Sequence, residues 1–297
     1  MSEPLRLADE IATALVESRA VVALETTLVA HGFPVGEGAG VARECERRVR
    51  EAGAVPATIG VVDGEVRVGL DDAALERFSA THDARKVGPR DVAPCVAQRA
   101  LGATTIGGTL AVCRMVGIRF MGTGGLGGVH RGWADTLDVS ADLAELASAH
   151  VAVVSSGVKS ILDVRATGEL LESLGVPLLG WRTDETPRFY EAAGGPPVSA
   201  RVDSAEEAAD VAALHWSLGR GGILVVRPPE ESLEVEPLIE EGVREANRRG
   251  VRGQDVTPFL LAYLHERSDG RTIAANKRLV IDNAALAAEL AVAYAAR

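Results

Sequence analysis

The sequence predicts an α/β protein that is built around a largely buried sheet. Short apolar runs rich in β-branched residues alternate along the chain with longer segments in which apolar residues recur at helical spacing. Apolar residues make up 47% of the 297 residues, which is enough for a full core. No internal repeat or low-complexity linker divides this pattern, so we expect residues 1–297 to form one domain.

Each strand prediction rests on a short apolar run, and each helix prediction rests on apolar residues three and four positions apart. The predicted strands span residues 21–24, 57–62, 66–69, 104–106, 118–121, 151–154 and 223–226. The predicted helices span residues 7–18, 38–52, 73–79, 92–101, 141–149, 167–174, 205–218, 233–248 and 284–295. The glycine- and proline-rich stretch 192–197 is the predicted surface loop.

The composition argues against several classes of partner. A net charge of -11 without basic clusters disfavours a nucleic-acid polymer or an anionic membrane as the partner. The sequence has no long uninterrupted apolar run, and its start, MSEPLRLADE, lacks the features of a signal segment. We therefore expect a cytoplasmic protein with a small-molecule substrate. Cys45, Cys95 and Cys113 match no metal or disulfide pattern, so we expect buried thiols.

Lysine is rare in this chain, which raises the interest of the lysines that are present. Of 31 basic residues, only Lys86, Lys159 and Lys277 are lysines. Arginine replaces lysine readily at solvated positions, but it forms no Schiff base, whereas a desolvated lysine can act as a nucleophile. Each lysine is therefore a candidate for chemistry, although Lys277, which adjoins Arg278, is typical of the surface.

Lys159 is the strongest of these candidates. It lies in VVSSGVKSILDV, just after a predicted buried strand and where we predict that a helix opens. Burial and the positive end of a helix both favour the neutral, nucleophilic amine. An extended surface lysine, the alternative, fits poorly with so apolar a segment. Lys86 lies in DARKVGPRD, where it can bind a sugar hydroxyl or a phosphate, or remain a solvated loop cation.

Glu25 is a candidate for acid–base chemistry. It ends the apolar run VVALE and precedes a polar turn that contains His31. Open α/β sheets bind ligands at the carboxyl ends of their strands, and partial burial there raises the pKa of a carboxyl group. The alternative is that Glu25 only accepts hydrogen bonds from nearby turn amides.

The segment 121–142 contains the densest set of functional residue types. Five of the seven residues from 122 to 128 are glycine, and their bare backbone amides can approach an anion closely. Gly122, Gly124 and Gly127 also match a dinucleotide-binding fingerprint, but no clear helix opens after them and the next strand ends without an acidic residue. We therefore favour a phosphate or substrate cradle over a Rossmann site.

Downstream of the glycines, Ser140 is predicted to cap a helix that begins at Ala141, with Asp142 in its first turn. The free amides at this helix end can hold a phosphate, or they can serve only the cap. One imidazole and three carboxylates lie close together in this segment: His130, Asp135, Asp138 and Asp142. Such ligands suit Mg²⁺ or Mn²⁺, and a solvated acidic turn is the alternative for each aspartate.

Several segments together resemble the pseudouridine-5'-phosphate glycosidase family: ALETTLVAHGFP, GAVPATIGVVDGEVRVGL, GGLGGVHRG, DVSADLAEL and SGVKSILD. The resemblance implies a three-layer α/β/α sandwich around a mixed sheet, a homotrimer, and an active site that depends on Mn²⁺, with Mg²⁺ as the alternative. It also implies a reaction in which a lysine forms a Schiff base with C1' of ring-opened ribose 5-phosphate. The carbon–carbon bond to a planar carbon acceptor is then cleaved or, in reverse, formed.

The resemblance also implies roles for single residues. Lys159 corresponds to the Schiff-base nucleophile, Glu25 to the proton donor and Asp138 to the metal ligand. The implied substrate contacts are Lys86, Ile106, His130, Ser140, Ala141, Asp142 and Asn283. These roles meet the needs of the chemistry, because a C-glycoside has no basic leaving oxygen to protonate. An iminium must serve as the electron sink, and a proton must reach the departing carbon.

The chain departs from the family's usual residues near the pocket. The positions that differ are Thr26, the Gly88-Pro89 pair where an additional basic residue is usual, Arg227 in a usual Asn-Pro pair, and Asp282 in a usual pair of asparagines. Replacing an amide by a carboxylate removes a donor, so we expect altered recognition of the base. We therefore favour the branch that attaches ribose 5-phosphate to an aromatic natural product over breakdown of pseudouridine 5'-phosphate. A kinase-like phosphate-binding enzyme and a regulatory module are the remaining alternatives.

Overall fold

The computed structural model describes residues 4–251 and 256–297, whose strands form one mixed sheet. The strands are β1 (Leu5–Leu7), β2 (Val21–Glu25), β3 (Val55–Val62), β4 (Glu65–Val68), β5 (Arg85–Val87), β6 (Gly102–Thr104), β7 (Phe120–Gly122), β8 (Ala152–Ser155), β9 (Leu178–Trp181), β10 (Ala200–Val202) and β11 (Ile223–Val226). They run in the order β1-β4-β3-β2-β7-β8-β11-β9-β10, and β6 pairs with both β3 and β5. Pairing is parallel except where β3 meets β4 and β6.

Helices cover both faces of this sheet. They are α1 (Asp9–Val16), α2 (Thr27–His31), α3 (Gly38–Glu51), α4 (Asp72–Ser79), α5 (Val92–Ala97), α6 (Ile106–Val116), α7 (Trp133–Thr136), α8 (Ala141–Ser148), α9 (Val164–Ser173), α10 (Ala205–Ser217), α11 (Glu236–Arg248), α12 (Val256–Arg267) and α13 (Arg271–Ala295). A single 3₁₀ turn, Pro89–Asp91, precedes α5 in the described part of the chain.

The core lies in two layers because side chains of a buried strand alternate between its faces. In β2, Val21 and Ala23 join a cluster with residues of α1, α6, α8 and α9, whereas Val22 and Leu24 join a cluster with residues of α3, α10 and α13. Both faces of the strand are therefore buried, as its continuous apolar run predicts. This arrangement confirms the predicted three-layer α/β/α sandwich around a mixed sheet.

The prediction of a strand over residues 104–106 is wrong. Strand β6 ends at Thr104, and helix α6 begins at Ile106. The side chain of Thr105 caps this helix by accepting a hydrogen bond from the Gly108 amide at 3.1 Å. Because α6 is buried along most of its length, its sequence shows no alternation of apolar and polar faces.

Other elements were not predicted from the sequence. Strands β1, β5 and β10 have only three residues and include arginine, and β9 includes a glycine, so none of them shows a continuous apolar run. Helices α2, α7 and α12 were not predicted either. The predicted helix over residues 284–295 is the second half of α13, a helix of 25 residues. Its first half contains the polar run Asn276, Lys277 and Arg278, which hides its apolar face. The three cysteines are buried and free, as predicted.

Within the described residues, no helix combines the length and the apolar character that crossing a bilayer requires. The stretch 192–197 contains no helix or strand, in agreement with the predicted loop.

Candidate active site

The topology brings three segments of the sequence together at one edge of the sheet. Strands β2, β7 and β8 are parallel neighbours, so their carboxyl ends lie side by side. Glu25 ends β2, the glycine-rich segment 122–128 follows β7, and the segment with Lys159 follows β8. The last two segments run alongside each other, because the Leu126 amide donates to Gly157 at 2.9 Å and the Lys159 amide donates to Leu126 at 3.2 Å. This is the edge at which α/β sheets bind ligands.

Two cavities open at this edge and meet at the same residues. The polar cavity, of about 480 Å³, is lined by Lys86, Arg90, Thr105, Ile106, Gly127, His130, Asp138, Ser140, Ala141 and Asp142 among others. The apolar cavity, of about 650 Å³, is lined by Leu28, His31, Phe33, His82, Phe189, Tyr190, Leu261, His265, Ile273 and Asn276 among others. Both cavities are also lined by Glu25, Thr27, Lys86 and Lys159. All predicted site residues except Asn283 therefore line the polar cavity.

Glu25 is a buried carboxyl group at this junction. Its side chain is 6% exposed, and the Thr123 hydroxyl donates a hydrogen bond to its Oε1 at 2.5 Å. Burial raises the pKa of Glu25 to about 7, and the neighbouring Lys159 and the Thr123 hydrogen bond oppose this rise. Glu25 can therefore hold a proton near neutral pH, as an acid catalyst requires.

Two lysines face this carboxyl group. Lys86, on β5, has its pKa lowered mainly by burial and further by the charge of Lys159. The position of Lys159 differs from our prediction in one respect, because α9 begins only at Val164. Asp163 caps α9 by accepting from the Ala166 amide at 2.9 Å, so the positive end of that helix acts on Asp163. Lys159 instead lies in irregular backbone held by the glycine-rich segment.

The amino-terminal ends of α6 and α8 both reach the polar cavity. Ser140 caps α8 as predicted, accepting from the Asp142 amide at 3.3 Å. Asp142 is 6% exposed, and its carboxylate accepts from the Gly107 amide at 2.7 Å and from the Gly127 amide at 3.2 Å. It therefore joins the start of α6 to the glycine-rich segment. The amides of Ile106 and Ala141 lie at two helix starts where an anion is favoured.

Close packing is a second reason for the glycines of this segment. A Cβ atom on Gly127 would lie 2.4 Å from Asp142 Oδ2, and one on Gly128 would lie 2.4 Å from the Thr167 hydroxyl. No helix follows Gly127 directly, since α7 begins at Trp133. The segment thus lacks the strand–turn–helix arrangement of a dinucleotide site.

His130 and Asp138 face each other at the wall of the polar cavity. His130 Nδ1 lies 3.8 Å from Asp138 Oδ2, and the backbone of His130 donates to the Asp138 carbonyl at 3.0 Å. Burial is the main cause that lowers the pKa of His130, which favours the neutral imidazole. The donor set fits a hard cation that is held by one carboxylate and completed by water and substrate oxygens. A cluster of three or more ligating side chains is absent from the residues that the structure describes.

Asn283, a predicted substrate contact, does not line either cavity. It is fully buried, and its amide nitrogen donates to Thr123 at 2.8 Å and to Gly124 at 3.3 Å. It therefore supports the glycine-rich segment from behind. Asp282, the other departure at this place, pairs with Arg227 at 3.3 Å, away from both cavities.

Asn276 is the asparagine that lines the apolar cavity, and the sequence analysis did not single it out. It is 3% exposed, and its Oδ1 has no hydrogen-bond partner, while its nitrogen donates to Gly32 at 3.4 Å. A buried polar atom without a partner is unusual and points to a ligand. The polar run around Asn276 in an otherwise apolar helix was the available signal.

Comparisons with known proteins identify the family of this chain. A family model described as "Indigoidine synthase A like protein" matches residues 10–293. The chain is 48% identical over 300 residues to a pseudouridine-5'-phosphate glycosidase of Salinispora tropica, covering 99% of this chain and 93% of the relative. It is 44% identical over 297 residues to that of Geobacillus kaustophilus, covering 98% and 99%.

Solved structures show the same fold. The prealnumycin C-glycosynthase AlnA, in complex with ribulose 5-phosphate, has a TM-score of 0.91 and 40% identity, covering 100% of this chain and 98% of AlnA. An indigoidine synthase A-like protein of Thermotoga maritima has a TM-score of 0.87 and 37% identity, covering 97% and 95%. The chain therefore belongs to the family of indigoidine synthase A-like proteins and pseudouridine-5'-phosphate glycosidases, and it is an enzyme of that family.

Proposed function

We propose that this enzyme breaks, and in reverse forms, the carbon–carbon bond between ribose 5-phosphate and a planar base, with pseudouridine 5'-phosphate as its substrate. The observation that carries the proposal is the junction of a polar and an apolar cavity at Glu25 and Lys159. A sugar phosphate and a flat base differ in polarity as these two cavities do. The groups that the bond needs, a carboxyl and a primary amine, lie between them.

The polar cavity suits the sugar phosphate. The helix starts at Ile106 and Ala141 offer backbone amides and the positive ends of two helix dipoles. Lys86 lies deeper in the same cavity, and the exposed side chain of Arg90 lies at its mouth. A phosphate bound between the two helix starts leaves the ribose pointing toward Lys159.

Lys159 and Glu25 carry the bond-breaking step in this proposal. The Lys159 amine bonds to C1' as the C1'–O4' bond breaks, and the proton lost from the amine passes to O4', which opens the ring. The nitrogen lone pair then forms the C=N bond of an iminium as the carbon–carbon bond breaks. The departing base carbon takes the released electron pair and the proton of Glu25. Water then adds to the iminium and releases ribose 5-phosphate and the free amine. A Glu25 pKa of about 7 leaves the proton available at neutral pH.

The apolar cavity suits the base. Phe189, Tyr190 and Ile273 offer apolar contacts for a flat ring, and Asn276 offers a carbonyl oxygen without a protein partner. That oxygen can accept a hydrogen bond from an N–H of uracil. Asn276, rather than the predicted substrate contact Asn283, is thus the asparagine that we propose for base recognition.

The proposal includes a divalent cation, Mn²⁺ with Mg²⁺ as the alternative. Asp138 would bind it, and His130 would shape the wall beside it. A cation bound there supplies positive charge next to the oxygens of the sugar phosphate.

The choice between breakdown and synthesis reverses our preference from the sequence. The pseudouridine-5'-phosphate glycosidases of Salinispora tropica and Geobacillus kaustophilus are 48% and 44% identical to this chain, whereas the C-glycosynthase AlnA is 40% identical. These relatives favour pseudouridine 5'-phosphate as the substrate. Attachment of ribose 5-phosphate to an aromatic acceptor is the second candidate, since an apolar cavity of about 650 Å³ is far larger than one pyrimidine ring requires.

The test is intact-mass analysis after incubation with ribose 5-phosphate, Mn²⁺ and borohydride, for the wild type and Lys159→Arg. We expect one pentose-phosphate adduct on the wild type and none on the variant, because arginine keeps the charge but forms no Schiff base. A parallel assay for uracil release from pseudouridine 5'-phosphate, and a screen of aromatic acceptors, separates the two directions. Binding of ribose 5-phosphate without any adduct on the wild type would reject the lysine mechanism and favour a phosphate-binding enzyme without a covalent step.

A further inference from the structure

An ion pair outside both cavities touches the two segments that carry the site. Arg131 directly follows His130, and Ser160 directly follows Lys159. The guanidinium of Arg131 donates to the Ser160 carbonyl at 2.9 Å. It also binds both carboxylate oxygens of Glu236, at 2.5 Å and 3.0 Å. One side chain thus links the His130 segment, the Lys159 segment and the first turn of α11.

The geometry differs from that of an ordinary surface ion pair. Both side chains are about one-third exposed, at 31% each. The two parallel contacts fix the plane of the guanidinium, and its Nη2 is shared between the carboxylate and the Ser160 carbonyl. Many exposed pairs in this chain lack such a third partner and contribute little. This pair instead fixes a carbonyl group next to Lys159.

A second set of contacts holds Ser160 on its other side. Ser160 is 4% exposed, and its hydroxyl donates to the carbonyl of Arg188. The guanidinium of Arg188 lies 3.8 Å from Glu236. The hydrogen bond with Arg131 is the main cause that lowers the pKa of Glu236, so the carboxylate stays charged across the neutral range. Arg131 and Arg188, which both lie beside Glu236, therefore contact Ser160 from two sides and hold the backbone next to Lys159.

We propose that Arg131 and Glu236 are positioning residues that hold the Lys159 backbone in register with the His130 segment, so that the Lys159 amine meets C1' of the sugar. This inference rests on the proposed function of Lys159. Neither residue lines the polar or the apolar cavity, so their effect acts through Ser160 and His130. Displacing a reacting group by about 1 Å can cost a hundredfold in rate.

The experiment compares Glu236→Gln and Arg131→Lys with the wild type. The first variant keeps the shape of the side chain but loses its charge. The second keeps the charge but cannot bind both Glu236 oxygens and the Ser160 carbonyl together. The matched control is Asp63→Asn, which removes another bidentate pair, Arg77 with Asp63, at 2.9 Å and 3.1 Å; neither residue lines the polar or the apolar cavity. Each protein is assayed for the rate of borohydride-trapped ribose 5-phosphate adduct, for ribose 5-phosphate binding by calorimetry, and for its melting temperature.

We expect both site variants to form the adduct at least about tenfold more slowly while their dissociation constant for ribose 5-phosphate changes less than about threefold. Asp63→Asn should match the wild type in both. Equal trapping rates in the wild type, Glu236→Gln and Arg131→Lys would overturn the positioning role. Parallel loss of binding, trapping and melting temperature would also overturn it, since a general structural role predicts that result. A wild type that binds ribose 5-phosphate but forms no adduct would instead reject the proposed function itself.

Discussion

Burial controls the chemistry of single residues at the junction of the two cavities. Glu25 is charged less readily than a solvated glutamate because its carboxyl group is buried, and Lys86 loses its proton more readily for the same reason. A buried acid and a buried base close to one another are typical of a site for proton transfer. Both effects depend on tertiary packing.

Glu25 also makes stability depend on pH. Its pKa rises from about 4.5 in the unfolded chain to about 7 in the folded protein. The unfolded state therefore loses its proton first, and the free energy of unfolding falls as pH rises through this window. Glu25→Gln removes the titration. We expect its free energy of unfolding, relative to the wild type, to increase by up to about 3 kcal/mol from pH 4.5 to pH 7.5.

Urea unfolding of both proteins at several pH values checks this prediction. The activity of Glu25→Gln should be lost at every pH, because an amide cannot donate the acidic proton. A stability difference that stays constant with pH would show that Glu25 titrates normally in the folded protein.

The starts of α6 and α8 lie together at the polar cavity, and the glycine-rich segment lets them approach each other. Gly127→Ala puts a methyl group 2.4 Å from Asp142 Oδ2 and 2.5 Å from the Ser140 hydroxyl. We expect a cost of about 1–3 kcal/mol in stability and a loss of ribose 5-phosphate binding. The reason is that Asp142 can then no longer accept hydrogen bonds from both the start of α6 and the glycine-rich segment. Urea unfolding and calorimetric titration measure the two effects.

The control for this change is Gly40→Ala. Gly40 is exposed in α3, and an added Cβ would meet no atom within 4 Å. We expect a gain of about 0.5–1 kcal/mol and unchanged binding, because alanine loses less backbone freedom than glycine in a helix. Normal ribose 5-phosphate binding by Gly127→Ala would disprove the close-packing role.

The Arg227–Asp282 pair connects the end of β11 to α13 at two positions where the resemblance described above implies asparagine. The side chains are 17% and 19% exposed and lie 3.3 Å apart. Arg227→Asn removes the partner of the part-buried Asp282 carboxylate, and Asp282→Asn leaves the Arg227 guanidinium only the exposed Glu230 at 3.5 Å. We expect each change to cost about 1–3 kcal/mol in stability. The double replacement should cost less than the sum of the two.

A double-mutant cycle in urea measures this coupling. The exposed Arg19–Glu17 pair, with side chains 48% and 55% exposed, serves as the control and should show a coupling close to zero. Additive costs at Arg227 and Asp282 would show that the two charges are independent.

At the scale of the whole molecule, the site consists of two cavities that share Glu25, Thr27, Lys86 and Lys159. In the proposed function, the sugar phosphate contacts α6, α8 and β5, and the base contacts α2, α12 and α13, because these elements line the polar and the apolar cavity respectively. Substitutions in the apolar cavity can therefore change which base the enzyme accepts without changing how it binds the sugar phosphate. The homotrimer that the resemblance implies stays a prediction, and sedimentation velocity checks it.

Ile273→Trp tests this division. Of the two cavities, Ile273 lines only the apolar one, and a larger side chain at this position narrows the space for the base. We expect ribose 5-phosphate trapping to change less than about threefold, while release of uracil from pseudouridine 5'-phosphate falls at least about tenfold. Mass analysis and a uracil assay measure the two. Equal losses in both assays would contradict separate cavities for sugar and base.

The sequence by itself determined the α/β class, the mixed three-layer arrangement through its family resemblance, and most residues of the polar cavity. Buried strands and amphipathic helices have characteristic spacings of apolar residues, which can be recognised within a single segment of sequence. The scarcity of lysine pointed to Lys159, because arginine cannot replace a nucleophilic amine. The run of glycines pointed to the segment 122–128, because only glycine leaves backbone amides free to approach an anion closely.

Only the tertiary structure decided which asparagine lines the apolar cavity, how Asp142 is used, and that two cavities meet at Glu25. Asn276 and Asn283 lie on one helix and look alike in sequence, yet one lines the apolar cavity and the other holds the backbone of Thr123. Asp142 binds amides of α6 and of the glycine-rich segment, and Glu25 binds Thr123, from distant parts of the chain. Such contacts depend on how the elements pack, and no local period in the sequence records them.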